Sequence, residues 1–311
     1  MPGAYAHITL VNVLKEPARL QGLAFSKPGA AALLDYFKYC ELGVVSPDYP
    51  YLAIADSASL QWADLMHYER TGEVIRTAIE GVRALQGEER RRAFAWLLGY
   101  CAHVATDVTI HPVIELKVGP YAQNKTAHRT CEMHQDVYIF SSRLNLGEIG
   151  VSEHLASGIL RCRESGKPGA LDGVIKTLWE GALARVHPNE ARTNAPQVNK
   201  WHGAFDLMVN RIAEEGGHLL PLARHVAVNC GLTYPALGDV NHAEYITELK
   251  VPGGGTLSYD AIFERAMESV GKTWASVERA IYQDDPDSLE FIGDWNLDTG
   301  LNQNNQFVFW T

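Results

Sequence analysis

The chain has 311 residues, of which 46% are hydrophobic and 21% charged, and carries a formal net charge of −10 at pH 7. This excludes a disordered or low-complexity chain and leaves room for a substantial core in one large domain or two small ones. The acidic balance argues against a protein that binds by gripping nucleic-acid phosphates with Lys and Arg, while an enzyme that meets phosphate through metal ions stays allowed. Cys40, Cys101, Cys131, Cys162 and Cys230 are too few and too scattered for a disulfide framework or a CxxC zinc module, and their odd number suits a reducing compartment or simply buried thiols. The twelve histidines are more informative.

The N-terminus lacks the basic-then-apolar layout of a secretory signal, so a cytoplasmic protein, or one exported without a recognisable signal, is expected. No uninterrupted apolar stretch reaches the roughly 18–20 residues of a membrane span. His7 lies in an apolar N-terminal helix. Asp48 follows Pro47 between apolar residues, where an Asp can simply cap a turn. Residues 56–86 read as one helix carrying His67. The next helix, 88–111, opens with Glu88 and Glu89, which suit the positive end of the dipole. Pro112 disfavours α geometry at His111 and predicts a stop there. A helix over 126–143 follows Gly119-Pro120, and further helices are predicted at 151–164, 170–186, 200–231 and 258–283. Gly166-Lys167-Pro168-Gly169, His187-Pro188-Asn189 and Val251-Pro252-Gly253-Gly254-Gly255 punctuate them. Only Phe307-Val308-Phe309-Trp310 looks strand-like. With no repeat and no long linker, the expected fold class is all-α, a single multi-helix domain over 1–311 with its chemistry in 1–140, further helices in 141–283 and an acidic, then Asn/Gln-rich tail at 284–311.

The segment Gly99-Tyr100-Cys101-Ala102-His103-Val104-Ala105-Thr106-Asp107-Val108-Thr109-Ile110-His111-Pro112 carries three ionisable side chains at i, i+4 and i+8, one stripe of a helix. A helix with scattered polar residues is the plain alternative. However, the neighbours are small and apolar, so His103, Asp107 and His111 would be costly there unless paired or bound to metal. His128 and Glu132 repeat the i, i+4 spacing, and Asp136, a turn further on, is placed to orient a ligand. Taken alone, His7 and His67 read as satisfied core or surface histidines. The His202 and Asp206 pair reads as structural, as do His218 and His225 around Pro221, and the glycine run has no strand before it to make a phosphate cradle. Tyr5, Tyr49, Tyr51, Trp62 and Tyr68 could form a cage for a quaternary ammonium group or equally belong to the core.

The order His7, Pro47-Asp48, His67, Gly99-Tyr100…His103…Asp107…His111-Pro112, His128…Glu132 resembles the zinc-dependent phospholipase C family. That family shares its helical, three-zinc architecture with the single-strand-specific zinc nucleases and includes the catalytic part of glycosylphosphatidylinositol-specific phospholipase D. The likeness covers roughly residues 1–140, and its most specific parts are GYxxHxxxDxxxHP and HRxxE. It implies that His67, His103 and Asp107, with Asp48, hold one zinc, and that His111, His128 and Glu132 hold a second. A third would fall to His7 and the bridging Asp107 with the N-terminal amine and carbonyl, giving about two to three zinc ions per chain. Members commonly begin, after processing, with a Trp or Cys whose free amine binds the third metal. Here Pro2 stands in that place, and its nitrogen can serve only if Met1 is removed. Asp48 is the implied catalytic residue, orienting or deprotonating water. The implied reaction is phosphodiester hydrolysis of a glycerophospholipid at a membrane or micelle surface, yielding diacylglycerol and a phosphorylated headgroup, with nucleic acid not an expected partner. A single-strand nuclease or nucleotidase of the same architecture, or a non-catalytic metal-binding helical protein, is the alternative.

Overall fold

Helices supply nearly all the regular structure of the computed structural model, which describes residues 3–53, 56–144, 149, 158–167, 169–214 and 232–310. The chain runs through α1 (Ala4–Leu14), α2 (Pro17–Gly22), α3 (Lys27–Asp35) and α4 (Phe37–Val45), then a 3-10 stretch, Ser46–Leu52. It continues through α5 (Ser57–Tyr68), α6 (Thr71–Ala84), α7 (Gly87–Val118), α8 (Tyr121–Arg143), α9 (Gly173–Val186), α10 (Val198–Glu214) and α11 (Tyr259–Tyr282). Among the described residues the one strand ladder is a hairpin, Leu249–Lys250 against Thr256–Leu257, closed by Gly253, Gly254 and Gly255 at positive φ. The fold is all-α, as the periodicity predicts.

Helix α7 is the axis of the molecule. Every residue from Ala93 to Ile114 is buried, the signature of a helix covered on all sides. Among the described residues it is also the helix long and apolar enough to cross a membrane, a length the sequence reading did not anticipate, and its apolar stretch lies wholly inside the protein. Helices α3, α4, α6 and α11 pack on it, and α1 lies between α4 and α8. The α4–α7 crossing is backbone on backbone. A Cβ on Gly43 would stand 2.0 Å from the Trp96 carbonyl oxygen, and one on Gly99 would stand 2.1 Å from that of Cys40. Gly99 of the GYxxH motif is therefore a packing requirement.

Several predicted boundaries move. The helix expected over 56–86 breaks into α5 and α6 at Glu69 and Arg70, the latter left-handed at φ 53. The apolar spacing runs on across this break, so periodicity alone hides it. Pro112 does not stop α7, which continues to Val118 and Gly119. The proline takes the intrahelical donor from the Val108 carbonyl, and the segment around Gly300 and Trp310 packs on that turn, with Trp310 Nε1 donating to the neighbouring Thr109 carbonyl at 2.8 Å. Helix α8 begins at Tyr121 and bends at Asn124, whose side chain donates back to the Pro120 carbonyl. Asp172 and Ser258 cap α9 and α11 and set their first residues. Phe307-Val308-Phe309-Trp310 makes no strand, only an isolated bridge from Leu301 to Phe307. Residues 151–157, 215–231 with His218, Pro221 and His225, and Met1 and Pro2 lie outside the described residues.

Candidate metal centre

Three elements bring the predicted donors of the first set together. Asp48 comes from the 3-10 stretch, His67 from the last turn of α5, and His103 and Asp107 from successive turns of α7. The His67 and His103 Nε2 atoms are 3.4 Å apart. His67 Nε2 is 3.4 Å from Asp48 Oδ1 and 3.9 Å from Asp107 Oδ2, and His103 Nε2 is 3.3 Å from Asp107 Oδ2. On the other side of the same carboxylate, His7 Nε2 is 3.1 Å from Asp107 Oδ1, and the His7 ring stacks on His103 with centroids 4.3 Å apart. Two groups thus have all their donor atoms within 4.8 Å of one another: His7, His103 and Asp107; and Asp48, His67 and His103. All of these residues are buried.

The backbone fixes which nitrogen each imidazole presents. His67 Nδ1 donates to the Ala63 carbonyl at 2.7 Å, and His103 Nδ1 to the Val44 carbonyl at 2.9 Å across the glycine crossing. His111 Nδ1 donates to the Leu297 carbonyl at 2.6 Å, and His128 Nε2 to the Gly119 carbonyl at 2.7 Å. A carbonyl only accepts, so each bonded nitrogen carries a hydrogen, which leaves the other nitrogen of each ring as the one that can bind a metal. His111 Nε2 and His128 Nδ1 are buried without a hydrogen bond, as are both His7 nitrogens, Asp48 Oδ1 and both Asp107 oxygens.

That set of bare acceptors facing one another fits a cation. The 3.3–3.4 Å separations around His103 and His67 match the edge of a tetrahedron with bonds of about 2.0–2.1 Å, zinc's geometry with nitrogen and carboxylate donors. Burial opposes ionisation of Asp107 and Asp48. Nevertheless, His103 with His111 holds the Asp107 carboxyl well below its usual range, and His103 with His67 lowers Asp48. Burial pushes His7, His111 and His128 down toward the neutral, metal-binding form. His103 goes the other way. Burial opposes its charge, yet Asp107 and Asp48 push it up to about 9.

The remaining predicted residues are placed as follows. His111, His128 and Glu132 all lie in the buried interior, yet they form no group with donor atoms as tightly gathered as the two above. Glu132 Oε2 accepts from Arg129 Nη1 at 2.8 Å, and Arg129 Nη2 donates to the Tyr121 hydroxyl. Asp136 does not reach toward His128. It accepts from the Ala6 amide at 2.8 Å and the Tyr234 hydroxyl at 2.9 Å, and so seats the first turn of α1, which carries His7. Of the aromatic candidates, Tyr5, Tyr49 and Trp62 are core residues. Tyr51 and Tyr68 flank the His67 ring, and Tyr68 is 37% exposed. His202 is buried against Tyr49 and Phe205, a structural place. Sequence reasoning missed the carbonyls of Val44, Ala63, Gly119 and Leu297, because a backbone acceptor leaves no mark in residue type.

A model of the zinc-dependent phospholipase C family matches residues 6–189, from α1 through α9 and beyond the stretch that carries the motifs. No curated protein and no solved structure matches the chain. The matched span takes in more than half of the chain and every candidate donor described above. The chain therefore belongs to the zinc-dependent phospholipase C family.

Proposed function

We propose that the protein is a zinc-dependent phosphodiester hydrolase of the phospholipase C type that cleaves a glycerophospholipid to diacylglycerol and a phosphorylated headgroup. The observation that carries this reading is the pair of Nε2 atoms of His67 and His103, facing each other 3.4 Å apart beside the carboxylates of Asp48 and Asp107. Asp107, with one oxygen toward His7 and the other toward His103, serves both sets. His111, His128 and Glu132 complete the donors, for about two to three zinc ions per chain. Zinc held there supplies Lewis acidity to the phosphoryl and leaving oxygens.

The chain's own groups do the rest. Asp48, ionised and with Oδ1 free of hydrogen bonds, orients water and takes its proton as the oxygen adds to phosphorus. The bond from phosphorus to the glycerol oxygen breaks, and that proton ends on the diacylglycerol hydroxyl. Tyr51 and Tyr68 border the His67 side of the site, and the Tyr68 hydroxyl donates to Asp298 at 2.9 Å. Asp64 lies near Asp298, and burial pushes its carboxyl up. An acidic, tyrosine-bearing rim suits a cationic headgroup and disfavours a polyanion. Exposed Leu60 shares the α5 face with Asp64 and Tyr68, which suits a substrate presented by a membrane or micelle.

The test is metal analysis of the purified protein, followed by assay of phosphatidylcholine, phosphatidylinositol and single-stranded DNA in one zinc-containing buffer. Zinc uptake with chelator-sensitive cleavage of a phospholipid is expected. A protein that takes up no zinc, or turns over no phosphodiester when loaded, overturns the reading.

A further inference from the structure

The C-terminal segment lies outside the span that matches the family, and it bonds and packs against α5, α6 and α7. The Trp295 amide and carbonyl both bond the Thr71 hydroxyl, at 2.8 and 2.9 Å, where α6 begins. The Leu297 amide donates to the His67 carbonyl at 3.0 Å, satisfying an orphan acceptor at the end of α5. The carbonyl of the same residue accepts from His111 Nδ1 at 2.6 Å. Gly300, at φ 67, lies so close to α7 that a Cβ would stand 2.4 Å from Pro112 Cγ and 2.5 Å from the Val108 oxygen. Trp310 Nε1 donates to the Thr109 carbonyl at 2.8 Å.

We infer that residues 295–310 are a working part of the metal centre, and that Leu297 is a positioning residue whose two backbone groups clamp His67 on α5 to His111 on α7. The inference rests on the reading of His111 as a zinc ligand given above. The Leu297 carbonyl makes His111 the Nδ1–H tautomer, turns its ring, and leaves the buried Nε2 as the only free donor. Pro112 is what lets the segment approach. It has no N–H for the Val108 carbonyl and it bares the turn where Gly300 and Trp310 dock. Leu297 is fully buried, so the clamp is shielded from competing water.

The test uses the full chain with Gly300→Val, which pushes the segment off α7, and Trp310→Phe, which deletes one hydrogen bond and introduces no clash. Zinc is titrated against a chelator, cobalt is substituted to read ligand geometry, and circular dichroism checks the fold. In both variants the zinc equivalent that uses His111 should bind about 10–100-fold more weakly, the usual cost of losing such a support. The equivalent between His67 and His103 should stay. If Gly300→Val fails to fold, Trp310→Phe decides. Folded variants that titrate like wild type, or that lose all zinc equally, overturn the inference. The His111 tautomer, read by nitrogen NMR in metal-free wild type, tests the clamp apart from the function. A wild-type protein with the Nδ1–H tautomer but no zinc uptake sinks the function reading and leaves the clamp standing, while an Nε2–H tautomer sinks the clamp itself.

Discussion

The Nε2 atoms of His67 and His103 face each other at 3.4 Å while both Nδ1 hydrogens are committed to backbone carbonyls, of Ala63 and Val44. Two lone pairs so placed, with Asp48 and Asp107 alongside, repel one another unless a positive charge comes between them. In the metal-free protein that charge is a proton, and Asp107 and Asp48 place it on His103, pushed up to about 9.

Zinc binding at neutral pH must therefore displace this proton. Calorimetric titration of the metal-free protein in buffers of different ionisation enthalpy should show release of about one proton for the zinc that engages His103. His103→Ala should abolish both that release and that binding step. A heat independent of buffer would mean that His103 is neutral before the metal arrives.

His103 and Asp107 make the metal-free fold pH-dependent. His103 is raised from 6.5 to about 9, so its contribution is full below about 6.5 and is lost as pH rises through about 9. Asp107 is held well below 3.8, so its contribution is present above that value and is lost as pH falls. Thermal unfolding of the metal-free protein should thus drop toward alkaline pH more than that of the zinc-loaded protein, in which the metal replaces the proton. Zinc-loaded protein should instead weaken in acid as protons compete for the histidines. Parallel curves for the two forms between pH 6.5 and 9 would contradict the assignment.

Gly99→Ala tests the link from packing to site. The new Cβ would sit 2.1 Å from the Cys40 carbonyl oxygen, a backbone atom that cannot turn away. Helices α4 and α7 must separate, at a cost of about 1–3 kcal/mol for overpacking. The Val44 carbonyl moves with α4, so the His103 ring loses its support as well. A lower urea midpoint together with weaker zinc binding is expected, and a stability loss with unaltered zinc affinity would show that the crossing does not position His103.

The sequence announced the parts of this site that lie on one helix and concealed those that span several. His103, Asp107 and His111 were legible because a stripe of ionisable groups in an apolar helix is costly without partners. Asp48, His67 and His7 each looked ordinary alone, and only the order of motifs in the family resemblance joined them. Pro112 misled because the stop it predicts is a local property, whereas the groups that pack on its turn, Gly300 and Trp310, come from the far end of the chain. The break at Arg70 misled for a related reason. Gly72 admits the Gly293 carbonyl at a place where a Cβ would stand 2.2 Å from its oxygen, and no periodicity signals such an approach. Asp136 was legible as a residue that could orient a ligand, but that it does so by seating the turn of α1 that carries His7 was not, since the approach of α1 to α8 is a tertiary fact.

Asp48→Asn separates binding from catalysis. The amide keeps the size and one oxygen for the group around His67, but it cannot take up a proton. Zinc content should fall little, while turnover on a phosphodiester should drop by about 100-fold or more. Near-normal rates with zinc saturating would remove Asp48 from the role of base and leave it only a place among the donors.

The final prediction concerns what the site accepts. With a net charge of −10 and Asp64 and Asp298 near the tyrosines of the rim, a polyanion gains little there outside the metals. Single-stranded DNA should therefore be cut slowly and bound without the steep salt dependence that many phosphate contacts give. A zwitterionic phospholipid brings one phosphate for the metals and one cation for the rim, and its acyl chains stay in the membrane or micelle. Tyr68→Ala should raise KM on micellar phosphatidylcholine with kcat and zinc content little changed, since the ring borders His67 without donating to it. The deciding quantity is the ratio of kcat/KM for phosphatidylcholine to that for single-stranded DNA in the same zinc-containing buffer. A ratio favouring DNA by about tenfold, an energy difference of about 1.4 kcal/mol in transition-state binding, would assign the chain to nucleic acid while leaving the metal donors as described.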